Sequence, residues 1–177
     1  MEKLNWGIIG LGSIAQKFSE AFAQTSNSLL LAVASKNSQK LESFKKQFSI
    51  EDKFIFKNYE DLINCKEVDI VYIALPNSFH FYWIKECINN NKNTLVEKPA
   101  TLNYAEAKNV KKILSDKNIF FGEAFMYRYH PQIDYIIELI KNNTVGNLIS
   151  MESSFGENIL TKKKLKFFEK KKKIKEN

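Results

Sequence analysis

The sequence predicts an α/β fold, a doubly wound parallel sheet followed by the beginning of an incomplete second α/β domain. Three observations predict it. Short apolar runs alternate with amphipathic helical stretches from the first residues onward, the order of a parallel sheet with crossover helices. The first of these runs enters a glycine turn that opens a helix. The most apolar run, "VDIVYIALP", is rich in β-branched residues, as suits a strand covered on both faces.

Taken in order, "NWGIIGLG" is a strand leading into the glycine turn, and "SIAQKFSEAFAQT" carries Ile14, Phe18 and Phe22 at helical spacing. "LLLAVASK" is a buried strand, "SQKLESFKKQF" a helix, "KFIFKN" a short strand and "YEDLINCK" a short helix. "VDIVYIALP" is followed by a helix over "SFHFYWIKECINNN", a strand "NTLVEKP" and a helix over "NYAEAKNVKKILSDKN" that starts near Leu102 or Asn103. "IFFGEAFMY" is the next strand. Pro131 opens the helix "PQIDYIIELIKNN", where its missing N–H costs nothing. "NLISMESSF" reads as a further strand. The expected domains are 1–123 for the parallel sheet, 124–160 for the start of the second domain, and 161–177 for a lysine-rich, disordered tail.

Composition limits the functions open to the chain. It has 177 residues, 44% hydrophobic, and no run of 18 apolar residues, so no transmembrane helix is expected. The N-terminus reads as a first strand and not as a signal peptide. Cys65 and Cys87 have neither metal-ligand spacing nor obvious pairing, which implies structural thiols, no metal site and a cytoplasmic location. The net charge of +7 is concentrated: residues 162–177 hold nine lysines against Glu169 and Glu176, while the other 161 residues carry 18 basic and 18 acidic side chains. A polyanion-binding function would therefore rest on the tail alone, and a nucleic-acid partner is disfavoured.

The strongest local signal is "GIIGLGSIA". Gly10 permits a tight turn, Gly12 lets a pyrophosphate approach the backbone, and Ala15 lets the helix pack close to the sheet. The N–H groups at the helix start, from Ser13 and Ile14 onward, would face phosphates. The alternative is a plain glycine turn, and the strand–turn–helix context favours a dinucleotide. At the end of the second strand, where an NAD site commonly carries a carboxylate, the sequence has Ala34-Ser35-Lys36-Asn37. A hydroxyl and a cation suit a 2′-phosphate, favouring NADP over NAD; Lys36 as a solvated loop lysine is the alternative. Pro76, Asn77 and His80 follow the most apolar strand at its carboxyl end, where open α/β sheets bind ligands. Asn77 as a helix cap and His80 as a structural histidine are the plainer roles.

Glu97-Lys98-Pro99 ends the next strand, and three readings compete there. The charges are a solvated strand end, or an internal ion pair, or Lys98 points into the cofactor cleft and acts on a substrate hydroxyl. A desolvated lysine near a cationic ring would have its pKa lowered, which suits proton transfer. A cis bond before Pro99 would fix the lysine's direction.

Together, "GIIGLGSIA", "AVASKNSQKLESF", "VDIVYIALPNSFHF", "LVEKPATLNYAEA" and "GEAFMYRYHPQ" resemble the Gfo/Idh/MocA family of NAD(P)-dependent oxidoreductases over residues 4–155. "EAFMYRYHP" resembles the branch that contains sugar and dihydrodiol dehydrogenases. The resemblance implies a Rossmann domain, a second α/β domain covering the nicotinamide, and hydride transfer to or from a carbon of a sugar, cyclitol or similar substrate. It implies that Lys98 is the catalytic lysine, that Ser35 and Lys36 stand where NADP-using members carry serine and arginine, and that Pro76, Asn77, His80 and Glu97 line the cofactor. Arg128 would sit at the domain junction.

The resemblance also implies a second domain with a glycine-rich segment, an aspartate and a histidine. The family-like pattern stops near "SSFGENI", and "LTKKKLKFFEKKKKIKEN" has none of these; His130 belongs to a different motif. The expectation is a truncated or frameshifted dehydrogenase, weakly active alone, with a polybasic tail or a short form that pairs with another subunit as alternatives. The competing functions are an NAD(P)-linked sugar oxidoreductase, a non-catalytic dinucleotide-binding module or partner subunit (homo-oligomeric or complementary), and a polyanion-binding protein acting through its tail.

Overall fold

The computed structural model describes residues 3–154 and residue 156. Six strands form one sheet: β1 (Leu4–Ile9), β2 (Ser28–Ala34), β3 (Ile55–Phe56), β4 (Ile70–Ile73), β5 (Asn93–Val96) and β6 (Phe121–Glu123), in the order β3-β2-β1-β4-β5-β6. Every neighbouring pair is parallel. The helices are α1 (Ser13–Glu20), α2 (Ser38–Phe48), α3 (Tyr59–Asn64), α4 (His80–Asn89), α5 (Tyr104–Leu114) and α6 (Pro131–Lys141). This is the doubly wound parallel fold that the alternating pattern predicts.

Local chemistry sets the element ends. Asn37 Oδ1 accepts from the Lys40 N–H at 3.0 Å and starts α2. Asn103 Oδ1 accepts from the Glu106 N–H, while Glu106 Oε2 accepts the Leu102 N–H; this reciprocal cap satisfies amides that a helix start otherwise leaves orphaned. All four residues of β4 are buried. Because successive side chains point to opposite faces, such a strand must be covered on both. On one side Trp6, Phe18 and Phe22 pack as a cluster with centroids 5.3–5.9 Å apart, and Phe18 lies 4.2 Å from Tyr72. Those contacts fix α1 against the sheet centre.

Two expectations change. β3 is only two residues long because Asp52–Phe54 winds into a 3₁₀ turn before it. Residues 148–154 form no strand. Leu148, Ile149 and Met151 are exposed, and a single extended segment cannot satisfy its own backbone or bury a face.

The chain divides into two compact units, with the second beginning at His130. The first unit extends through Tyr129, where the backbone after β6 stays bonded: Ala124 N–H donates to Val96 O, and Arg128 N–H to Phe125 O. In the second unit His130 caps α6, its Nδ1 accepting from the Gln132 N–H at 3.2 Å. The lysine-rich segment lies outside the described residues. Among the described residues no helix is long and apolar enough to cross a membrane.

Candidate active site

With every strand parallel, the carboxyl ends of β1, β2, β4 and β5 share one edge of the sheet. The strand order reverses between β1 and β4, the place where open α/β sheets form a ligand crevice. The ladder continues past the strand ends. Gly10 N–H donates to Ala34 O (3.1 Å), Ala74 N–H to Ile9 O (2.9 Å) and Glu97 N–H to Ile73 O (3.0 Å). The loops bearing the candidate residues are therefore bonded to one another.

At the β1 end, Gly10 has φ +87°, and a Cβ there would lie 2.7 Å from the Ala74 carbonyl oxygen. Only glycine combines that backbone with that approach. Gly12 differs: a Cβ on it would meet nothing within 4 Å. The surface above Gly12 is open. Gly12 is the N-cap of α1, no side chain among the described residues caps this helix, and no acidic residue occupies its first turn. The first amides of α1, including those of Ser13, Ile14 and Ala15, thus have the positive end of the helix to themselves, which fits a phosphate group. The Ala15 side chain is fully buried, packing the helix onto the sheet, whereas Ser13 and Ile14 are exposed.

At the β2 end the Ser35 side chain is buried, and its Oγ accepts from the Asn37 N–H at 3.1 Å. Lys36 is exposed. After β4, Pro76 and Asn77 are exposed, and Asn77 sits in a 3₁₀ turn with no side-chain cap, so its plainer capping role is not seen.

The β5 end removes one of the three readings of Glu97-Lys98-Pro99, the internal ion pair. Glu97 turns inward: the Tyr72 hydroxyl donates to its Oε1 at 2.5 Å, and the Lys98 N–H lies 3.3 Å from Oε2. Burial first, and then this carboxylate, holds the Tyr72 phenol far above its ordinary pKa. Lys98 is exposed, and its ε-amine forms no ion pair among the described residues, so the internal ion pair is not formed. The Lys98–Pro99 peptide is cis, and the Ala100 N–H donates to Glu123 Oε1 at 2.8 Å.

His80 departs from the expectation. It is fully buried, Nδ1 lies 2.8 Å from the Pro99 carbonyl oxygen, and Nε2 lies 2.8 Å from that of Leu75. With no open surface and each ring nitrogen set against a backbone carbonyl, it packs between the two loops and presents nothing to the cleft. Arg128 is exposed in a short 3₁₀ turn at the end of the first unit.

Tyr72 and Glu123 are two site residues that sequence reasoning missed. Tyr72 reads as one more apolar strand residue, and only the register, which sets it beside Leu95, places its hydroxyl next to Glu97. Glu123 stands inside a quoted motif, but nothing local marks it as the acceptor for an amide 23 residues away.

Comparison with known proteins agrees with this geometry. Residues 4–125 match the family described as "Oxidoreductase family, NAD-binding Rossmann fold". Oxidoreductase P35 of Formosa agariphila is 36% identical over 85% of this chain and 46% of its own length. Glucose-6-phosphate 3-dehydrogenase of Bacillus subtilis is 32% identical over 89% of this chain and 44% of its own. Scyllo-inositol dehydrogenase from Lactobacillus casei, solved with NAD(H) and scyllo-inositol, shares the fold with a TM-score of 0.76 at 24% identity, over 82% of this chain and 43% of that one. The chain spans just under half the length of these relatives. The match covers the whole sheet and every loop on its carboxyl edge, and on that ground the chain belongs to the Gfo/Idh/MocA oxidoreductase family.

Proposed function

We propose that this chain provides the dinucleotide-binding half of an NADP-preferring oxidoreductase acting on a hydroxyl or carbonyl carbon of a sugar, cyclitol or similar polyol, with Lys98 as its catalytic residue. One observation carries the reading: the turn at Gly12 and the amine of Lys98, open and unpaired among the described residues, lie on the same sheet edge, on loops joined by backbone hydrogen bonds.

The nicotinamide cofactor, when bound, supplies or accepts the hydride. The chain's own residues do the rest. The first amides of α1 hold the pyrophosphate, and Ser35 and Lys36 offer a hydroxyl and a cation to a 2′-phosphate. Pro76 and Asn77 border the crevice from the β4 side. Lys98 Nζ binds the reacting oxygen and carries its proton as the carbon changes oxidation state, a role that contributes about 10²–10⁴-fold to a rate. Glu97, held by Tyr72, fixes the backbone from which Lys98 projects. Two free thiols support a cytoplasmic setting, and a second copy or complementary subunit is the proposed assembly.

A fluorescence titration with NADPH tests binding, and a hydride-transfer assay over a panel of sugars and cyclitols tests chemistry. Binding with transfer that falls about 10²–10⁴-fold in Lys98→Ala supports the proposal. Binding without transfer on any substrate favours the non-catalytic module. No binding at millimolar NADPH ends both readings.

A further inference from the structure

The geometry points to His80 as a positioning residue that sets the Lys98 turn relative to the dinucleotide turn, an inference that deepens the proposed function and rests on it. The imidazole sits between two loops. Nε2 lies 2.8 Å from the Leu75 carbonyl oxygen after β4, and Nδ1 lies 2.8 Å from the Pro99 carbonyl oxygen after β5. Each loop has a further neighbour. The Ala74–Leu75 segment presses on Gly10, where a Cβ would lie 2.7 Å from both the Ala74 carbonyl oxygen and Leu75 Cδ2. Pro99 follows Lys98 directly. One ring therefore joins the floor under Gly10 to the turn that aims Lys98.

A carbonyl oxygen only accepts, so each contact needs an N–H from the ring. A neutral imidazole supplies one, and a doubly protonated ring supplies both. In either state the ring donates to at least one of the two loops, and only the doubly protonated ring donates to both at once; at 0% exposure it presents no surface to a ligand. Pro99 is exposed and Leu75 half-buried, so removing the ring takes its donor from the loops without opening the sheet. The ring is therefore a fastener, and removing it should loosen the Lys98 turn before it loosens the sheet. The opposite side of the turn is held separately, by the Ala100 N–H on Glu123 Oε1, which makes the Ala100 amide a reporter of local slackening.

The experiment compares His80→Phe, which keeps the bulk and removes both donors, with His80→Gln, which retains an N–H donor. Amide hydrogen exchange is read at Ala100 in the turn and at Leu41 in α2, whose N–H donates to Asn37 O; NADPH affinity is read by fluorescence. The expected result is exchange at least tenfold faster at Ala100 with Leu41 unchanged, NADPH binding weakened at least fivefold, and intermediate values for His80→Gln. Unchanged exchange at Ala100, or equal acceleration at both amides, overturns the inference, since the second outcome marks a merely structural histidine.

If His80→Phe does not fold, histidine-selective NMR of the wild-type chain decides. His80 and His130 are the two histidines. A slowly exchanging His80 ring N–H correlated across its hydrogen bond to the Pro99 carbonyl supports the link. A His80 ring proton exchanging as fast as that of exposed His130 overturns it. Failure of wild-type NADPH binding would end the proposed function while the exchange and NMR results still judge His80.

Discussion

The Tyr72 hydroxyl donates to Glu97 Oε1 at 2.5 Å, and the Tyr72 ring lies 4.2 Å from Phe18 of α1. One side chain thus touches the helix that opens the dinucleotide turn and the carboxylate that precedes Lys98. Tyr72→Phe keeps the ring contact and removes the donor. A hydrogen bond to a charged group contributes about 1.5–3 kcal/mol, so chemical denaturation of the variant should show a loss of that order. The pH dependence has a definite sign. Folding raises the phenol above its ordinary value of 10.0, so the folded state keeps its proton where the unfolded chain begins to lose it. The stabilisation is complete below pH 10 and declines as pH rises above it. The wild-type advantage over Tyr72→Phe should therefore shrink above pH 10. An advantage that instead grows there would refute the assignment.

The two glycines of the turn should separate folding from binding. Gly10→Ala forces a side chain into φ +87° and to 2.7 Å from the Ala74 carbonyl oxygen, so thermal unfolding should reveal a loss of about 1–3 kcal/mol. Gly12→Ala meets open space, and its stability cost should be about 1 kcal/mol or less, the preference of an N-cap for glycine over alanine. Its NADPH affinity should nevertheless fall by at least about tenfold, or about 1.4 kcal/mol, because the new methyl would stand where a pyrophosphate approaches. Equal NADPH affinity in wild type and Gly12→Ala would exclude this turn as the phosphate site.

Much of this architecture is legible because it rests on local signals. The helical spacing in "SQKLESFKKQF" coincides with α2 (Ser38–Phe48), and Asn103 caps α5 beside the expected start. Gly10 reads correctly because its requirement is written into its own backbone. The relationships at the site are less legible because they are set by register and burial. Tyr72 and Glu97 are 25 residues apart, and His80 reaches a carbonyl 19 residues away. In the sequence His80 is one histidine at a strand-to-helix junction, compatible with a cleft or a core; packing alone decides for the core. "NLISMESSF" misled for the converse reason. Its apolar pattern favours a strand, but a strand is a pairing, and 148–154 pairs with no segment among the described residues.

Lys36 tests the cofactor preference. It is exposed, while Ser35 Oγ is already an acceptor for the Asn37 N–H, so the cation offers charge at the place where a 2′-phosphate would lie. Lys36→Ala should weaken NADPH binding by about tenfold, corresponding to about 1.4 kcal/mol, and leave NADH binding within about twofold. Raising ionic strength should narrow the difference between the two cofactors in the wild type, since an exposed pair is screened within a Debye length of about 8–10 Å. Equal losses for NADPH and NADH would assign Lys36 to the fold and not to cofactor choice.

Residues 148–154 present apolar side chains on a backbone unpaired among the described residues: Ile149 is 96% exposed and Met151 is 70% exposed. An exposed apolar run whose backbone is unpaired among the described residues can be satisfied by another chain's edge, and self-association through it is the expected outcome. Ile149→Asp removes apolar surface and adds charge at a position that no described residue covers. Its unfolding free energy should therefore change by less than about 0.5 kcal/mol, while sedimentation velocity at increasing concentration should show less self-association than in the wild type. Backbone amides over 148–154 should exchange without protection in the dilute chain and gain protection as association proceeds. A loss of stability above about 1 kcal/mol in Ile149→Asp would show instead that Ile149 is packed within the monomer.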